Sequence, residues 1–509
     1  MHDYPAAIEI YRTLYNFFPD SLDYGLRLAN AQNAPGQSQD ALVTVSRLHN
    51  LPQPQSSDAR IDMTEAKTAE QLSDYKHEQQ AAALAGTKGQ AQGARLIQAS
   101  ARLAEGFAWD HLGDTAKSLT LLAEARKLSQ GVNPHTAALA ELYMGHVLYD
   151  KGQFEDARKS YDQARGEFRE IGDQSGTAHS LEGIANVLYE QQKLDEAEGY
   201  YEEELRINRE IGRKQGVASS LGGLGNLLEQ MGDFAAAARA DEQASQTFRE
   251  LGSKRGEASA QSNWGIVLLE QGDLSAAKQK IDAALAVQQQ IGYKRGMGFS
   301  LSALTEILRL QDHLDEAYKA GEQAIALRKE IGDESNGTRS QTQLARVVLA
   351  QGKAAEAASL SKLAAAESNR LKMDDYEAQS YAILTEALLA QAKTRDAQAA
   401  ADRAVALAQK IDRYARFEVI LAAADASMAA GKFAEAKKAL EAMYAEASHY
   451  HYGVYELESR LRLGEIEIRS GKAGAGRERL RQVQNDARRK GIGLIARAAS
   501  SALTGQPHR

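Results

Sequence analysis

The stretch "LGGLGNLLEQMGDF", residues 221–234, contains the residues whose type and spacing most resemble a chemical site. Its glycines 222, 223 and 225 could form a loop whose backbone N–H groups surround a phosphate, or they could let two helices approach closely. A phosphate loop follows a strand and precedes a helix, and no strand pattern precedes Leu221. We therefore interpret these glycines as packing positions within a helix.

Other reactive residue types are absent or poorly placed. The chain has no cysteine, which excludes disulfides, a thiol nucleophile and cysteine-bound zinc. His449 and His451 in "HYHYG" would point to different sides of a helix, so a loop or a helix cap is favoured over a metal site. No arrangement of nucleophile and base is identifiable. The sequence therefore predicts no metal, no cofactor and no enzymatic activity.

Charge and hydropathy restrict the classes of partner. The formal net charge is −8, and both signs are interspersed along the chain, which disfavours a nucleic-acid binder. No apolar run approaches the ~18 residues that span a bilayer, and the N-terminus lacks the pattern of a secretory signal. We expect a soluble, cytoplasmic protein that binds neither nucleic acid nor membrane.

The chain is predicted to be helical almost throughout, because no proline lies between Pro134 and Pro507 and helix-forming residues dominate that stretch. Self-comparison shows a repeat within it. Turn-like tetrads such as "KGQF", "MGDF" and "QGDL" recur with their second residues 40 apart, at Gly152, Gln192, Gly232, Gly272, Asp312, Gly352 and Ala392. Further turns are predicted at Gly36, Ser73, Gly113, Gly431 and Gly471. A fixed period of this length is typical of a solenoid of stacked helical units.

Small residues recur at two further phases of the repeat. Alanine stands five residues after the turn, at Ala157, Ala197, Ala237, Ala277, Ala317, Ala357, Ala397 and Ala436. Glycine stands seven residues before several turns, for example at Gly145, Gly225 and Gly265. Small residues at a constant phase indicate the places where neighbouring helices cross closely.

This pattern of small residue, turn glycine and alanine resembles the tetratricopeptide repeat. The 40-residue form, with inter-repeat segments such as "EIGDQSG" and "QIGYKRG", is similar to repeats of bacterial signalling proteins and Pins-like scaffolds. The resemblance implies an all-α fold, a right-handed α-solenoid of stacked antiparallel helix pairs. It is strongest over the regular array at 100–412 and weaker in the divergent repeats at 1–99 and in the divergent repeats and cap at 413–509.

The resemblance also implies a binding surface, because the first helix of each unit lines the concave groove. In the family, an asparagine after the mid-helix glycine often holds the backbone of an extended peptide, and an amide can donate and accept together. Asn186 and Asn226 match that position, and we expect the binding centre at about 139–270. The candidate peptide-binding residues are Tyr149, His179, Glu182, Asn186, Tyr189, Asn226, Glu229, Arg309, Arg339 and Arg346.

Two alternatives remain open for these residues. Both asparagines could instead satisfy neighbouring helices across the groove. The three arginines could form an anion-binding patch or, because Glu306 is adjacent, a solvated surface of mutually paired charges.

The function predicted from these observations is a non-enzymatic scaffold that binds a protein or peptide segment in the groove. The alternative is the sensor or interaction tail of a bacterial serine/threonine kinase or winged-helix transcription regulator without its effector domain. "DYPAAIEIYRTLYNFFPD" matches a second helix of a repeat, so we also expect the sequence to begin in the middle of a unit of a longer parent.

Overall fold

The computed structural model describes residues 4–33, 37–409 and 411–505. Within these ranges the chain forms 26 α-helices and one short 3-10 helix at Gln55–Ser57, with no strand. The predicted all-α class is therefore confirmed. The chain divides into two compact units, Met1–Arg213 and Lys214–Arg509, and each is an α-solenoid of stacked antiparallel helices.

The helices of the first unit are α1 (Tyr4–Phe17), α2 (Leu22–Asn33), α3 (Ser38–His49), α4 (Ala59–Gln71), α5 (Tyr75–Ala91), α6 (Arg95–His111), α7 (Thr115–Ser129), α8 (Pro134–Asp150), α9 (Phe154–Glu170), α10 (Gln174–Glu190) and α11 (Leu194–Glu210). Those of the second unit are α12 (Lys214–Met231), α13 (Phe234–Glu250), α14 (Lys254–Glu270), α15 (Leu274–Gln290), α16 (Lys294–Leu310), α17 (Leu314–Glu330), α18 (Glu334–Ala350), α19 (Ala354–Arg370), α20 (Asp374–Ala390), α21 (Thr394–Leu407), α22 (Arg413–Ala429), α23 (Phe433–His449), α24 (Gly453–Arg469), α25 (Ala473–Arg489) and α26 (Gly493–Thr504).

The predicted turn positions end the first helix of each pair. Gly152 and Gly232 have φ of 71° and 87°, the left-handed conformation that closes a helix and frees the chain to reverse. The period is strict enough to impose this conformation on residues with a side chain, such as Gln192, Asp312 and Ala392, whose φ values are 60°, 69° and 57°. The turn predicted at Gly36 lies outside the described residues.

The small residues lie where the pattern predicted close crossings. Every alanine of the set from Ala157 to Ala397 is fully buried. Gly145 and Gly225 lie within α8 and α12, where a Cβ would come within 2.6 Å of Tyr161 and 2.8 Å of Asp241. The "LGGLG" stretch is therefore helical, as the packing interpretation requires. Gly222 differs from Gly225, because a Cβ there would meet open space.

In the second unit, the C-terminal helices return to pack on helices much earlier in the chain. Phe417 of α22 shares a hydrophobic cluster with Phe234 of α13, and Ile495 of α26 shares one with Ile307 of α16. Side-chain hydrogen bonds join partners 183 to 219 residues apart: Arg413 to the carbonyl of Gln230, Lys490 to the carbonyl of Gln271, and Arg497 to Asp312. This return packing encloses the inner face of the second unit.

Candidate functional site

In the first unit, Asn186 is held by a tyrosine of its own helix pair. The phenol of Tyr201 on α11 donates a 2.5 Å hydrogen bond to Oδ1 of Asn186 on α10. The preceding pair repeats the contact with other residues, since Tyr161 shares a 2.9 Å hydrogen bond with Nδ1 of His146. Among the described residues no other side-chain hydrogen bond reaches Asn186, which is half-buried. Its amide N–H groups therefore remain available to a ligand.

His179 and Glu182 lie on the same helix and share Arg213 as a neighbour. The Arg213 guanidinium donates to Nε2 of His179 at 2.6 Å and to Ser175 at 3.1 Å. Because arginine only donates, the ring nitrogen that receives it carries no proton. Burial and then the Arg213 charge lower the pKa of His179 to about 4. Burial raises the pKa of Glu182, and Arg213 opposes that rise.

Tyr149 and Tyr189 place aromatic surface on α8 and α10. The Tyr149 hydroxyl donates to Oε1 of Glu190 at 3.3 Å, and its ring packs against Phe154 with centroids 5.7 Å apart. Burial and the Glu190 charge raise the pKa of this phenol. Tyr189 is half-buried. Rigid aromatic side chains beside a free amide are features of peptide-binding surfaces.

In the second unit, Asn226 is exposed and bonds to another amide. Asn263 of α14 donates from Nδ2 to Oδ1 of Asn226 on α12 at 2.9 Å. Asn263 lies three residues before Ile266, the position at which the repeat phase would place the next member of an asparagine ladder. Asn263 does not stand at the repeat position of Asn186 and Asn226, so the repeat pattern does not identify it as a candidate.

Glu229 and Arg339 are half-buried residues of the second unit. Burial raises the pKa of Glu229 to about 7, and the Arg339 charge opposes the rise. The Arg339 guanidinium lies over the rings of Phe299 and Tyr376, at 6.0 Å and 5.7 Å from their centroids. This cation is therefore held between aromatic rings of neighbouring repeats.

Arg309 is buried, Arg346 is half-buried, and both are paired within the second unit. Arg309 donates twice to Glu306, from Nε at 2.9 Å and from Nη2 at 2.6 Å. Burial works to raise the pKa of Glu306, but Arg309 outweighs it and holds that pKa below its usual range. Arg346 pairs with Glu418 of α22 and approaches the Tyr414 hydroxyl at 3.5 Å. Both arginines are paired with carboxylates, as the paired-charge alternative expects, but its prediction of a solvated surface is wrong, because the side chains of both pairs are 8–12% exposed.

A cavity of about 90 Å³ lies among these charges. Its polar lining includes Glu270, Glu306, Arg309, Arg346, Glu386, Tyr414, Glu418, Glu458 and Arg462. Burial and the nearby carboxylates of Glu229 and Glu306 raise the pKa of Glu270 well above its ordinary value. Arg462 pairs with Asp425 at 2.9 Å and also with Glu458. The inner face of the second unit is thus occupied by an internal charge network.

The "HYHYG" segment adopts the geometry that the sequence predicts. His449 ends α23, and His451 lies in the following turn with φ of 59°. No helix in the described part of the chain is both long and apolar enough to cross a membrane.

Comparisons with known proteins agree with the helical-repeat fold described above. The tetratricopeptide repeat model matches residues 135–210 and 176–250. The fold is similar to the apo form of RapI, with a TM-score of 0.52, 13% identity, and coverage of 69% of this chain and 98% of that chain. No curated protein matches the chain.

Two further solved structures match the chain at lower similarity. One is a Rap protein complexed with competence and sporulation factor, with a TM-score of 0.45, 15% identity, and coverage of 74% of this chain and 99% of that chain. The other is a signal transduction ATPase with a tetratricopeptide repeat sensor from Pyrococcus horikoshii, with a TM-score of 0.45, 15% identity, and coverage of 68% and 50%. From the repeat geometry and the family match, residues 135–250 of the chain are tetratricopeptide repeats.

Proposed function

We propose that the chain is a non-enzymatic scaffold that binds an extended protein or peptide segment along the first helices of its repeats. The observation that carries the proposal is the hydrogen bonding of the Asn186 side-chain amide. Tyr201 satisfies its carbonyl oxygen and fixes its orientation, while its N–H groups have no partner among the described residues. An amide held in this way can donate to the backbone carbonyl of a bound segment.

The surroundings of Asn186 support this role in the first unit. His179 is held neutral by Arg213, and Tyr149 is held by Glu190, so the flanking side chains are already fixed before a ligand arrives. Pre-ordered side chains reduce the entropy lost on binding. In the second unit, the exposed Asn226 and the half-buried Asn263 provide the comparable amides. Arg309 and Arg346 are instead engaged with carboxylates of the same unit. Within the candidate set, we therefore assign the direct contacts to the amides and their neighbours.

A pull-down with purified chain tests the proposal. The wild type is compared with the double variant Asn186→Ala, Asn226→Ala, and with the control Asn50→Ala, an exposed asparagine at the end of α3 that bonds only locally to the carbonyl of Ser46. We expect the double variant to lose a partner that the wild type and the control both retain, with an unchanged melting temperature. Retention of every partner by the double variant would contradict the proposed contacts.

A further inference from the structure

Three helices of the first unit bring metal-ligating side chains together. His49 is the last residue of α3, and Asp62 and Glu65 lie on α4. One nitrogen or oxygen ligand atom from each residue lies within 4.8 Å of the others. Asp62 and Glu65 are three residues apart, so the helix places them on the same side. The third helix is α5, which contributes His77 at 2.8 Å from Oε1 of Glu65.

Asp62 is a buried carboxylate with an oxygen that lacks a hydrogen-bond partner among the described residues. Its side chain has no exposed surface. The Lys88 ammonium donates to Oδ2 at 2.7 Å, but Oδ1 has no hydrogen-bond partner within the described part of the chain. Buried carboxylate oxygens almost always have a partner, because losing water without one is unfavourable. A buried carboxylate with one unpartnered oxygen, and with an oxygen within 4.8 Å of an imidazole nitrogen and a second carboxylate oxygen, is a ready position for a cation.

Glu65 is held in place by two imidazoles. His49 donates from Nε2 to Oε2 at 2.8 Å, and His77 donates from Nε2 to Oε1 at the same distance. A carboxylate that binds metal through one oxygen is commonly oriented by a hydrogen bond to the other. His77 already makes that outer bond, which leaves the Oε2 side, with His49 and Asp62, to receive an ion.

We propose that His49 Nε2, an oxygen of Asp62 and Oε2 of Glu65 bind Zn²⁺, with water as the fourth ligand. Mixed imidazole and carboxylate donors suit zinc, whose bonds to them are about 2.0–2.2 Å long. Tetrahedral donors are then roughly 3.3 Å apart. The 2.8 Å distance between His49 Nε2 and Glu65 Oε2 must therefore lengthen slightly. The distances from these atoms to the Asp62 oxygen, which are within 4.8 Å, must shorten toward roughly 3.3 Å.

Zinc binding changes the position of one proton and the net charge of the site from −1 to about +1. His49 must present an unprotonated Nε2, so its hydrogen bond to Glu65 is replaced by two bonds to the ion, and the ring proton lies on Nδ1. The two carboxylates and Lys88 leave one net negative charge to attract the cation. The side chains of His49 and Glu65 are 31% and 21% exposed, which gives the ion and its water a path from solvent.

Calorimetric titration of the chelator-treated full chain with ZnCl₂ tests the site. We expect saturable binding of one ion per chain. His49→Gln retains a donor to Glu65 but replaces the imidazole ligand, and we expect it to weaken binding at least 10-fold. His135→Gln is the matched control: His135 also lies in the first unit within 3.2 Å of a carboxylate, that of Asp173, and its loss should leave the affinity unchanged. No saturable binding, or equal affinity in His49→Gln, overturns the proposal.

A measurement on the unaltered chain keeps the test independent of the variants' folding. Bound Zn²⁺ occupies the ring nitrogen that diethyl pyrocarbonate modifies, so zinc should protect His49 from the reagent while His135 stays reactive. Peptide mass spectrometry reads both sites in one sample. Equal modification of His49 with and without zinc overturns the assignment.

Discussion

The Tyr201 hydroxyl donates a 2.5 Å hydrogen bond to Oδ1 of Asn186, and the two residues lie on the paired helices α11 and α10. The equivalent positions one repeat earlier hold Tyr161 and His146, which are also bonded. In the next repeat they hold Asp241 and Asn226, and there the contact is absent: both oxygens of the fully buried Asp241 lack a partner in the described residues. Equivalent backbone positions therefore hold two hydrogen-bonded side-chain pairs and, at Asp241, one buried carboxyl group without a hydrogen-bond partner among the described residues.

The Tyr201 bond predicts a stability effect. Tyr201→Phe removes the donor and leaves the ring, so we expect the free energy of unfolding to fall by about 1 kcal/mol, the usual net value of one hydrogen bond. Urea denaturation measures it. Tyr200→Phe is the control, since that neighbouring ring contacts Arg165 through its face and should change stability by less than about 0.5 kcal/mol. Equal effects of the two substitutions would contradict the prediction.

Overpacking a helix crossing is expected to be costly. Ala237 is fully buried where α13 crosses its neighbours, whereas Ala235, two residues earlier, is exposed. We expect Ala237→Leu to lower the free energy of unfolding by roughly 1 to 3 kcal/mol, because the added carbons force adjacent helices apart. Ala235→Leu should leave the melting transition nearly unchanged. A similar small effect at both positions would mean that the repeat phase does not mark the crossing.

Glu78 predicts a pH dependence of stability. It lies on α5, five residues after the turn at Ser73, where other repeats have alanine, and it is only 1% exposed. Burial and then the Glu70 charge raise its pKa from 4.5 to about 8. The folded chain therefore holds this proton more tightly than the unfolded chain. The stabilisation is complete below pH 4.5 and is lost as the pH rises from there through about 8.

Glu78→Gln removes this titration. We expect it to raise the free energy of unfolding at pH 8.5 by roughly 2 to 4 kcal/mol relative to the wild type, and to have a much smaller effect at pH 4.5. Urea denaturation at the two pH values measures the difference. Glu170→Gln, at an exposed position that ends α9, should change neither value. A wild-type advantage at pH 8.5 would show that the Glu78 carboxylate is stabilised in the folded state.

The regular parts of the fold follow from local rules that the sequence repeats. Each left-handed turn needs glycine or a tolerant residue, and each crossing needs a small one, so a 40-residue period predicts where helices end and touch. The pair of Arg346 with Glu418 could not be predicted in this way. It depends on the cumulative rotation from one helix pair to the next, which brings α22 back to the inner face, and no short motif encodes that rotation.

The candidate sites, too, are predictable from the sequence only in their local features. The repeat pattern predicts that Asn186 lies on the first helix of its pair, and it does. The pattern indicates only packing positions on the second helix, so it does not predict the hydrogen bond from Tyr201 to the Asn186 carbonyl. His49, Asp62 and Glu65 lie in the segment for which the sequence predicts divergent repeats, and they follow no recognised ligand spacing. A signal existed in the i,i+3 spacing of Asp62 and Glu65, but the third ligand comes from another helix.

The N-terminal helix is expected to be less protected from hydrogen exchange than the regular repeats. α1 packs on α2, and its far end leaves Phe17 77% exposed. With few neighbours, it can open without disturbing the rest of the unit. Hydrogen exchange followed by mass spectrometry should show faster exchange in residues 4–18 than in residues 221–250. Equal protection of the two segments would contradict the view that packing on one side leaves α1 weakly held.

Return packing in the second unit is testable at Gly493. A Cβ at this first residue of α26 would lie 2.6 Å from the carbonyl oxygen of Gln311, just beyond α16, so Gly493→Ala must move the two helices apart. We expect a loss of roughly 1 to 3 kcal/mol and faster hydrogen exchange in α26. Gly474→Ala is the matched control, because Gly474 lies within α25 and its Cβ meets open space. Alanine there removes the entropic disadvantage of glycine and should be neutral or stabilising by up to about 1 kcal/mol. If Gly493→Ala behaved like Gly474→Ala, the close approach of α26 to the end of α16 would not be a feature of the protein in solution.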